Sequence, residues 1–311
     1  MKYVLKKLVT LVITLLVLSF LSYAAFEMIG DPVATILGTN ATPESVRELR
    51  QSMGLDRPFP VRYLEWLGNF LKGDFGTSYI YRMDVGQMMG EKLANTVILT
   101  LMGFLLTVAL SIPIGVYSAK HEGKGIDRFL TVFNQVVMAI PPFFVAILLT
   151  MIFGLLLRLF TPGNFISLKE SPLRFFLYML FPAFSVALPR IAMTVKMLRT
   201  SILEEMERDY IRTAFSRGHS RSTAMKEHAL KNGLLPVVTF LAANVAEMLA
   251  GCIVVEQIFS VPGIGRLLMV SIANRDIPVV EAVVMILALW VMLVHFLAEV
   301  LEESLDPRMR Y

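Results

Sequence analysis

Chemistry needs polar groups at fixed spacing, and this 311-residue chain offers few of them inside its apolar stretches. Glu27, Arg190, Glu247, Glu281, His295 and Glu299 are the ionisable residues there, and a charge in such surroundings is expensive enough to mark a paired or functional position. Glu27, Arg190, Glu281 and Glu299 fall near the predicted ends of their stretches, where long side chains reach the interface cheaply. Glu247 lies nearer the middle of its stretch. It must therefore face protein or water, either on a transport path or in a structural hydrogen bond. His295 reads as a packing residue. The four histidines, His121, His219, His228 and His295, are scattered, and no H-E-x-x-H occurs. There is no G-x-S-x-G elbow and no G-x-x-x-x-G-K-[ST] phosphate loop. One cysteine, Cys252, excludes a disulfide framework and a zinc site built on several thiolates. The residues thus predict no catalytic group, no metal ligand set and no cofactor held by this chain.

The richest polar pattern lies at about 208–232. Leu198, Ile202, Met206 and Tyr210 recur at helical spacing, so the helix before this segment is predicted to run through Tyr210. The chain then reads Tyr210-Ile211-Arg212-Thr213-Ala214-Phe215-Ser216-Arg217-Gly218. Gly218 suits the positive-φ position that stops a helix. Ser220 suits the N-cap of a new helix over about 221–232, and Pro236 then opens the next apolar stretch. The expected product is a helix, a glycine turn and a second helix on the membrane surface. Its small Ala214 admits close approach of another surface, and its basic residues face acidic partner groups or lipid phosphates. An ordinary basic amphipathic loop is the alternative reading.

The elements that position these residues are membrane helices. Hydrophobic residues make up 56% of the chain and charged residues only 17%, with mean hydropathy +0.65. That leaves too thin a polar coat for a soluble protein and too many apolar residues for a disordered one. The net charge of +4 is what basic cytoplasmic loops give, and no nucleic-acid partner is implied. Six stretches meet the roughly 20 residues a bilayer requires: about 8–29, 96–119, 129–157, 175–195, 234–255 and 277–298. The first is read as a retained anchor. Pro113, Pro141-Pro142, Pro182 and Pro189 interrupt the next three, which implies a packed bundle that satisfies the freed carbonyls. Lys120, Lys124 and Arg128, the run from Lys196 to Lys231, and the Arg308 and Arg310 tail all fall on the side of the lysine-rich N-terminus. The positive-inside rule then places both termini in the cytoplasm and the long loop from about 30 to 95 outside. In that loop Pro43–Met53 is predicted to be a helix capped by Thr42 and ended by Gly54. Pro60–Leu71 is predicted to be an amphipathic helix with Tyr63, Leu64, Leu67 and Leu71 on one face and Trp66 at headgroup level. Gly73-Asp74-Phe75-Gly76 is turn chemistry.

With these elements in place, Arg212-Thr213-Ala214-x-x-x-Gly218 followed by His228-x-Leu230 resembles the cytoplasmic coupling motif of binding-protein-dependent ABC importer permeases, in the form of the peptide and nickel branch. Further stretches resemble that branch in order along nearly the whole chain. They are Asp31-Pro32, Met53-Gly54-Leu55-Asp56-Arg57-Pro58 with Tyr63 and Trp66-Leu67, and Gly73-Asp74-Phe75-Gly76-Thr77-Ser78. Then come Asn232-Gly233-Leu234-Leu235-Pro236, Phe259-Ser260-Val261-Pro262-Gly263-Ile264-Gly265, Arg275-Asp276-Ile277-Pro278-Val279 and Leu305-Asp306-Pro307-Arg308. Asp84, Val261, Ile277 and Phe215-Ser216 depart from the usual pattern, which weakens inference about substrate more than about family.

The resemblance implies an all-α membrane protein: the six-helix type I ABC importer permease fold with a helical extracytoplasmic loop and a cytoplasmic coupling helix. Its parts would be an N-terminal helix over 1–30, an outer loop over 31–95, a permease core over 96–302 and a tail over 303–311. The implied function is that of a B-type permease subunit in the cytoplasmic membrane of a prokaryote, moving dipeptides or oligopeptides by alternating access. A nickel or metal-chelate importer is the alternative. Implied partners are a second homologous permease, two ATPase subunits that bind the ATP, and an extracytoplasmic solute-binding protein. Arg212, Thr213, Ala214, Gly218, His228 and Leu230 are the implied ATPase-coupling residues. Two readings from other classes remain, a membrane-embedded enzyme and a channel that works without ATP. The first needs a polar cluster at one depth, for which Glu247 has no clear partner in the sequence.

Overall fold

The computed structural model describes residues 2–29, Val33, Leu37, 42–52 and 54–305. Asp31-Pro32, Met53 and Asp306-Pro307-Arg308 lie outside the described residues, as do residues 309–311. All regular structure among the described residues is helical, apart from an isolated bridge between Thr77 and Asp84. The helices are α1 (Lys2–Ile29), α2 (Pro43–Ser52), α3 (Phe59–Leu71), α4 (Val85–Lys120) and α5 (Gly125–Met138). Next come α6 (Pro142–Leu149, running on as π turns over Thr150–Leu156), α7 (Pro172–Met206) and α8 (Asp209–Ser216). The last are α9 (Arg221–Phe259), α10 (Ile264–Ala273) and α11 (Ile277–Leu305).

Five of these, α1, α4, α7, α9 and α11, are long and apolar enough to cross a membrane. The expected third passage is α5 followed by α6, bent by 100° between them. The break falls at Ile140-Pro141-Pro142, with Pro141 extended at φ −65° and ψ 146°. A residue before proline is pushed out of the helical region, and two consecutive prolines lack both amide donors. Single prolines do not break helices here: Pro113, Pro182, Pro189 and Pro236 all lie inside continuous ones. Pro236 therefore does not open a new segment as expected, because α9 runs unbroken from Arg221.

The chain forms two compact units, residues 1–95 with 262–293, and residues 96–261 with 294–311; α4 and α11 contribute to both. In the first unit α3 packs on α1 through aromatic rings. Phe20 and Tyr23 meet Phe59, Tyr63 and Trp66 at centroid distances of 5.3–5.7 Å, and Trp66 continues to Phe70. The packed face of α3 is thus Phe59, Tyr63, Trp66 and Phe70, while Leu64 and Leu71 are exposed, contrary to expectation. Edge-on and tilted ring contacts and the Arg62 fork onto Glu27 outweigh the burial of two leucines on an outward face. Thr42 caps α2 by accepting from the Ser45 amide, and Gly54 follows at φ +66°. A second cluster joins Val85, Met88 and Met89 of α4, Ile264, Leu267 and Leu268 of α10, and Val279, Val280 and Val283 of α11. Helix α10 occupies a segment that apolar length alone leaves as a short loop. The motifs at Gly73–Ser78 and Arg275–Val279 meet here. Ser78 Oγ and the Tyr79 amide both donate to the fully buried Asp276 carboxylate.

In the second unit α7 is the central helix. Phe175, Tyr178, Met179, Ala183, Val186, Ala187, Ile191 and Val195 are buried against Leu99 of α4, Ala146 of α6, and Met248, Cys252, Val255 and Phe259 of α9. Small side chains at the crossing let the two helices approach, which drives helix association where lipid offers no hydrophobic gain. At Gly233 an added Cβ would meet the Ile202 amide nitrogen at 3.3 Å. Two buried polar contacts lie within the unit: Thr96 Oγ1 donates to Glu256 at 2.5 Å, and Tyr178 donates to the Phe259 carbonyl.

Candidate functional site

The segment after α7 is a closed helical hairpin. Helix α7 stops at Met206 rather than continuing through Tyr210. Arg208 turns extended (φ −68°, ψ 151°), and α8 starts at Asp209, the acidic residue of its first turn. An acid there complements the helix dipole and favours a new start over continuation. At the other end of α8 the Gly218 amide donates to the Phe215 carbonyl (2.9 Å) and the His219 amide to the Ala214 carbonyl (3.2 Å). With Gly218 at φ +87°, this is the Schellman arrangement, which needs a residue free of a Cβ penalty at the turn. Ser220 then caps α9 by accepting from the Thr223 amide at 3.2 Å, as its position implied.

The hairpin interior is made of small side chains. Ile211 and Ala214 of α8 pack on Ala224 and Ala229 of α9, with Met206 beside them. Ala214 is 6% exposed, so the surface it admits closely is the chain's own α9. The side chains of Arg212, Thr213, Phe215 and Ser216 project outward, all exposed. Among the described residues Arg212 pairs only with Asp209, at 3.3 Å on the same exposed face. Leu230 packs inward with Met225, Leu198 and Ile202, and His228 is half-buried. The expected coupling residues therefore divide. Arg212 and Thr213 present an outer face, Gly218 shapes the turn, and Ala214 and Leu230 hold the hairpin to the bundle.

Polar ties fix the hairpin to its neighbours. The Tyr210 hydroxyl donates to Glu205 at the end of α7 and accepts from Asn232 Nδ2 of α9 at 3.1 Å. Burial, reinforced by the Glu205 carboxylate, holds that hydroxyl above the usual tyrosine range. Arg221 meets Glu122 at 2.5 Å. Above it, Arg199 forks onto Asp127, which also accepts from Ser118 and the Gly123 amide. These pairs join the loop after α4, the first turn of α5, the body of α7 and the start of α9.

A second polar group lies within the helices. Arg190 donates to Asn244 Oδ1 at 3.0 Å and pairs with Glu247. Arg190 lies in the interior of α7 and not near an end as expected, because α7 extends 11 residues beyond the predicted stop at Val195. Glu247 thus has the partner the sequence did not reveal, yet its side chain is 60% exposed. Two pairings escape a reading of the sequence. Glu256 lies one residue past the expected end of its apolar stretch, which hides it as an intramembrane charge. His219 and His228 read as scattered, but the turn brings their rings to 5.5 Å; two histidines flanking a glycine turn and a helix cap were the available signal.

Comparison with known proteins accords with this architecture. Residues 111–311 match the family described as binding-protein-dependent transport system inner membrane component, and residues 1–100 match the N-terminal family of such membrane components. The chain is 31% identical over 310 residues to a probable peptide ABC transporter permease protein of Sinorhizobium fredii, covering 99% of both chains. It is 32% identical to an oligopeptide transport system permease protein of Bacillus subtilis, again covering 99% of both. It is 30% identical to a glutathione transport system permease protein of Salmonella typhimurium, covering 100% of this chain and 99% of that one. A helical membrane bundle, a glycine-turned hairpin with an alanine interior, and matches along the whole length agree: the chain belongs to the family of binding-protein-dependent transport system inner membrane components.

Proposed function

We propose that this chain is one of two homologous permeases of an ATP-driven importer, and that the pair moves dipeptides or oligopeptides across the cytoplasmic membrane by alternating access. The observation that carries the coupling role is the hairpin over 208–232, whose alanine interior locks α8 to α9 while Arg212, Thr213 and Phe215 face outward. Two ATPase subunits dock on that face and bind and hydrolyse the ATP. This chain itself catalyses no reaction. Closure of the ATPases presses on α8, the Tyr210 ties pass the movement into α7 and α9, and the Arg221–Glu122 pair carries it from α9 to the loop after α4. A solute-binding protein delivers cargo on the other side. Relatives named for peptide, oligopeptide and glutathione transport support peptides as that cargo.

Both termini lie in the cytoplasm and the 31–95 loop outside, the orientation favoured by the basic residues of 120–128 and 196–231. Glu247 is exposed although it sits far from either end of α9. A charge there faces the second permease or a water-filled path, since lipid would exclude it. The test is reconstitution of the chain with its genetic neighbours in proteoliposomes. Peptide uptake that needs ATP and stops with hydrolysis-dead ATPases supports the reading. Uptake that persists without ATPase activity overturns it in favour of a channel.

A further inference from the structure

The turn at Gly218 assembles three metal-ligating side chains, of which only His228 figures among the expected coupling residues. His219 Nδ1 lies 3.7 Å from the Glu227 carboxylate, and the His219 and His228 rings are 5.5 Å apart. One ligand atom from each of the three falls within 4.8 Å of the others. His219 Nδ1 is buried and has no hydrogen-bond partner among the described residues, a rare state for a buried ring nitrogen. Glu227 and His228 sit on the π-helical turn Met225–Ala229, a local widening that recurs at functional sites. Consecutive side chains on such a turn are closer in angle than on an α-helix, which lets neighbours aim at one point.

We propose that His219, Glu227 and His228 form a binding site for a first-row divalent transition metal such as Zn²⁺. Each histidine gives one imidazole nitrogen, Glu227 gives a carboxylate oxygen, and water fills the fourth position. Two imidazoles and one carboxylate suit zinc or nickel, whereas magnesium and calcium take oxygen ligands almost alone. Bonds of about 2.0–2.2 Å bring tetrahedral ligand atoms to about 3.4 Å from one another. Rotation of the side chains closes the remaining gap, and Glu227, 59% exposed, turns without displacing a packed neighbour. The nearby Arg221 is already engaged by Glu122, so its charge does not oppose the ion unscreened. A bound ion would clasp the turn after α8 to the first turns of α9 and hold the hairpin closed. That consequence for transport rests on the coupling reading, whereas the binding does not.

The test is zinc calorimetry and Co²⁺ absorption on the full chain, purified without a histidine tag. One metal per chain is expected, with visible Co²⁺ bands typical of low coordination number. His219→Leu and Glu227→Gln are each expected to weaken binding by more than about tenfold. Glu227→Gln is an isosteric change at an exposed position and keeps the test valid if His219→Leu folds poorly. Affinity unchanged in Glu227→Gln, or no binding to the wild-type chain, overturns the site. Both readouts are independent of uptake, so failure here leaves the transport reading standing. Loss of uptake with intact metal binding would count against that reading alone.

Discussion

Within one turn of α8, Arg212, Thr213 and Phe215 point outward while Ala214 points into the hairpin, so substitutions at neighbouring positions should separate docking from integrity. Ala214→Leu forces extra volume between α8 and α9. Overpacking of this kind costs about 1–3 kcal/mol, and faster proteolysis between 208 and 220 together with weakened ATPase co-purification is the expected result. Arg212→Ala removes an exposed side chain whose ion pair contributes little stability. It is expected to leave proteolysis unchanged and to reduce ATPase co-purification. Tyr210→Phe removes the hydroxyl that links Glu205 to Asn232, a loss of roughly 1 kcal/mol, detectable as faster amide exchange at the start of α8. At this scale the sequence was most legible where one residue meets its own neighbours: the Gly218 turn and the Ser220 and Thr42 caps follow from local backbone needs. Thr96 with Glu256 and Arg190 with Glu247 were not legible, because each pair is set by how distant segments fold together, whereas His219 with His228 was missed although a local turn and cap bring them together.

Among the elements, the bent passage of α5 and α6 has the most specific physical cause. Tandem prolines break it where four single prolines break nothing. Replacing Pro141 and Pro142 with alanine restores two amide donors and is expected to straighten the passage. Spin labels at Ile126 and Leu155, both exposed, should then move from about 28 Å apart to about 43 Å, by helix rise and the present bend. An unchanged separation would mean that packing on α7, and not the prolines, sets the bend. Apolar length predicted the existence of the long helices well, yet their ends poorly. Helix α4 begins at Val85 and α7 ends at Met206, each well into polar sequence, since hydropathy marks the lipid depth and hydrogen bonding marks the helix. Helix α10 escapes such a reading because its 10 residues are too few to span a membrane, although its leucines complete a buried cluster with α4 and α11.

For the whole molecule, the proposed orientation is open to direct labelling. Cys252, the one cysteine, is fully buried, so Lys72→Cys and Lys124→Cys can each report alone. An impermeant maleimide on intact cells is expected to label residue 72 and not residue 124; equal labelling of both would refute the orientation. The central claim is that the 208–232 hairpin transmits ATPase movement to the helices, and Gly218 tests it most directly. Its φ of +87° disfavours any side chain, although an added Cβ would meet, beyond its two chain neighbours, no atom of the described residues within 4 Å, so a substitution acts through the backbone alone. Gly218→Val carries strain of about 1–3 kcal/mol at that turn and leaves the membrane helices untouched. The decisive measurement is ATP-driven peptide uptake by the complete transporter carrying Gly218→Val, alongside its membrane level and ATPase co-purification. Normal insertion with lost uptake and weakened ATPase binding is the predicted result. Wild-type uptake at a normal membrane level would contradict the account and move the coupling surface elsewhere.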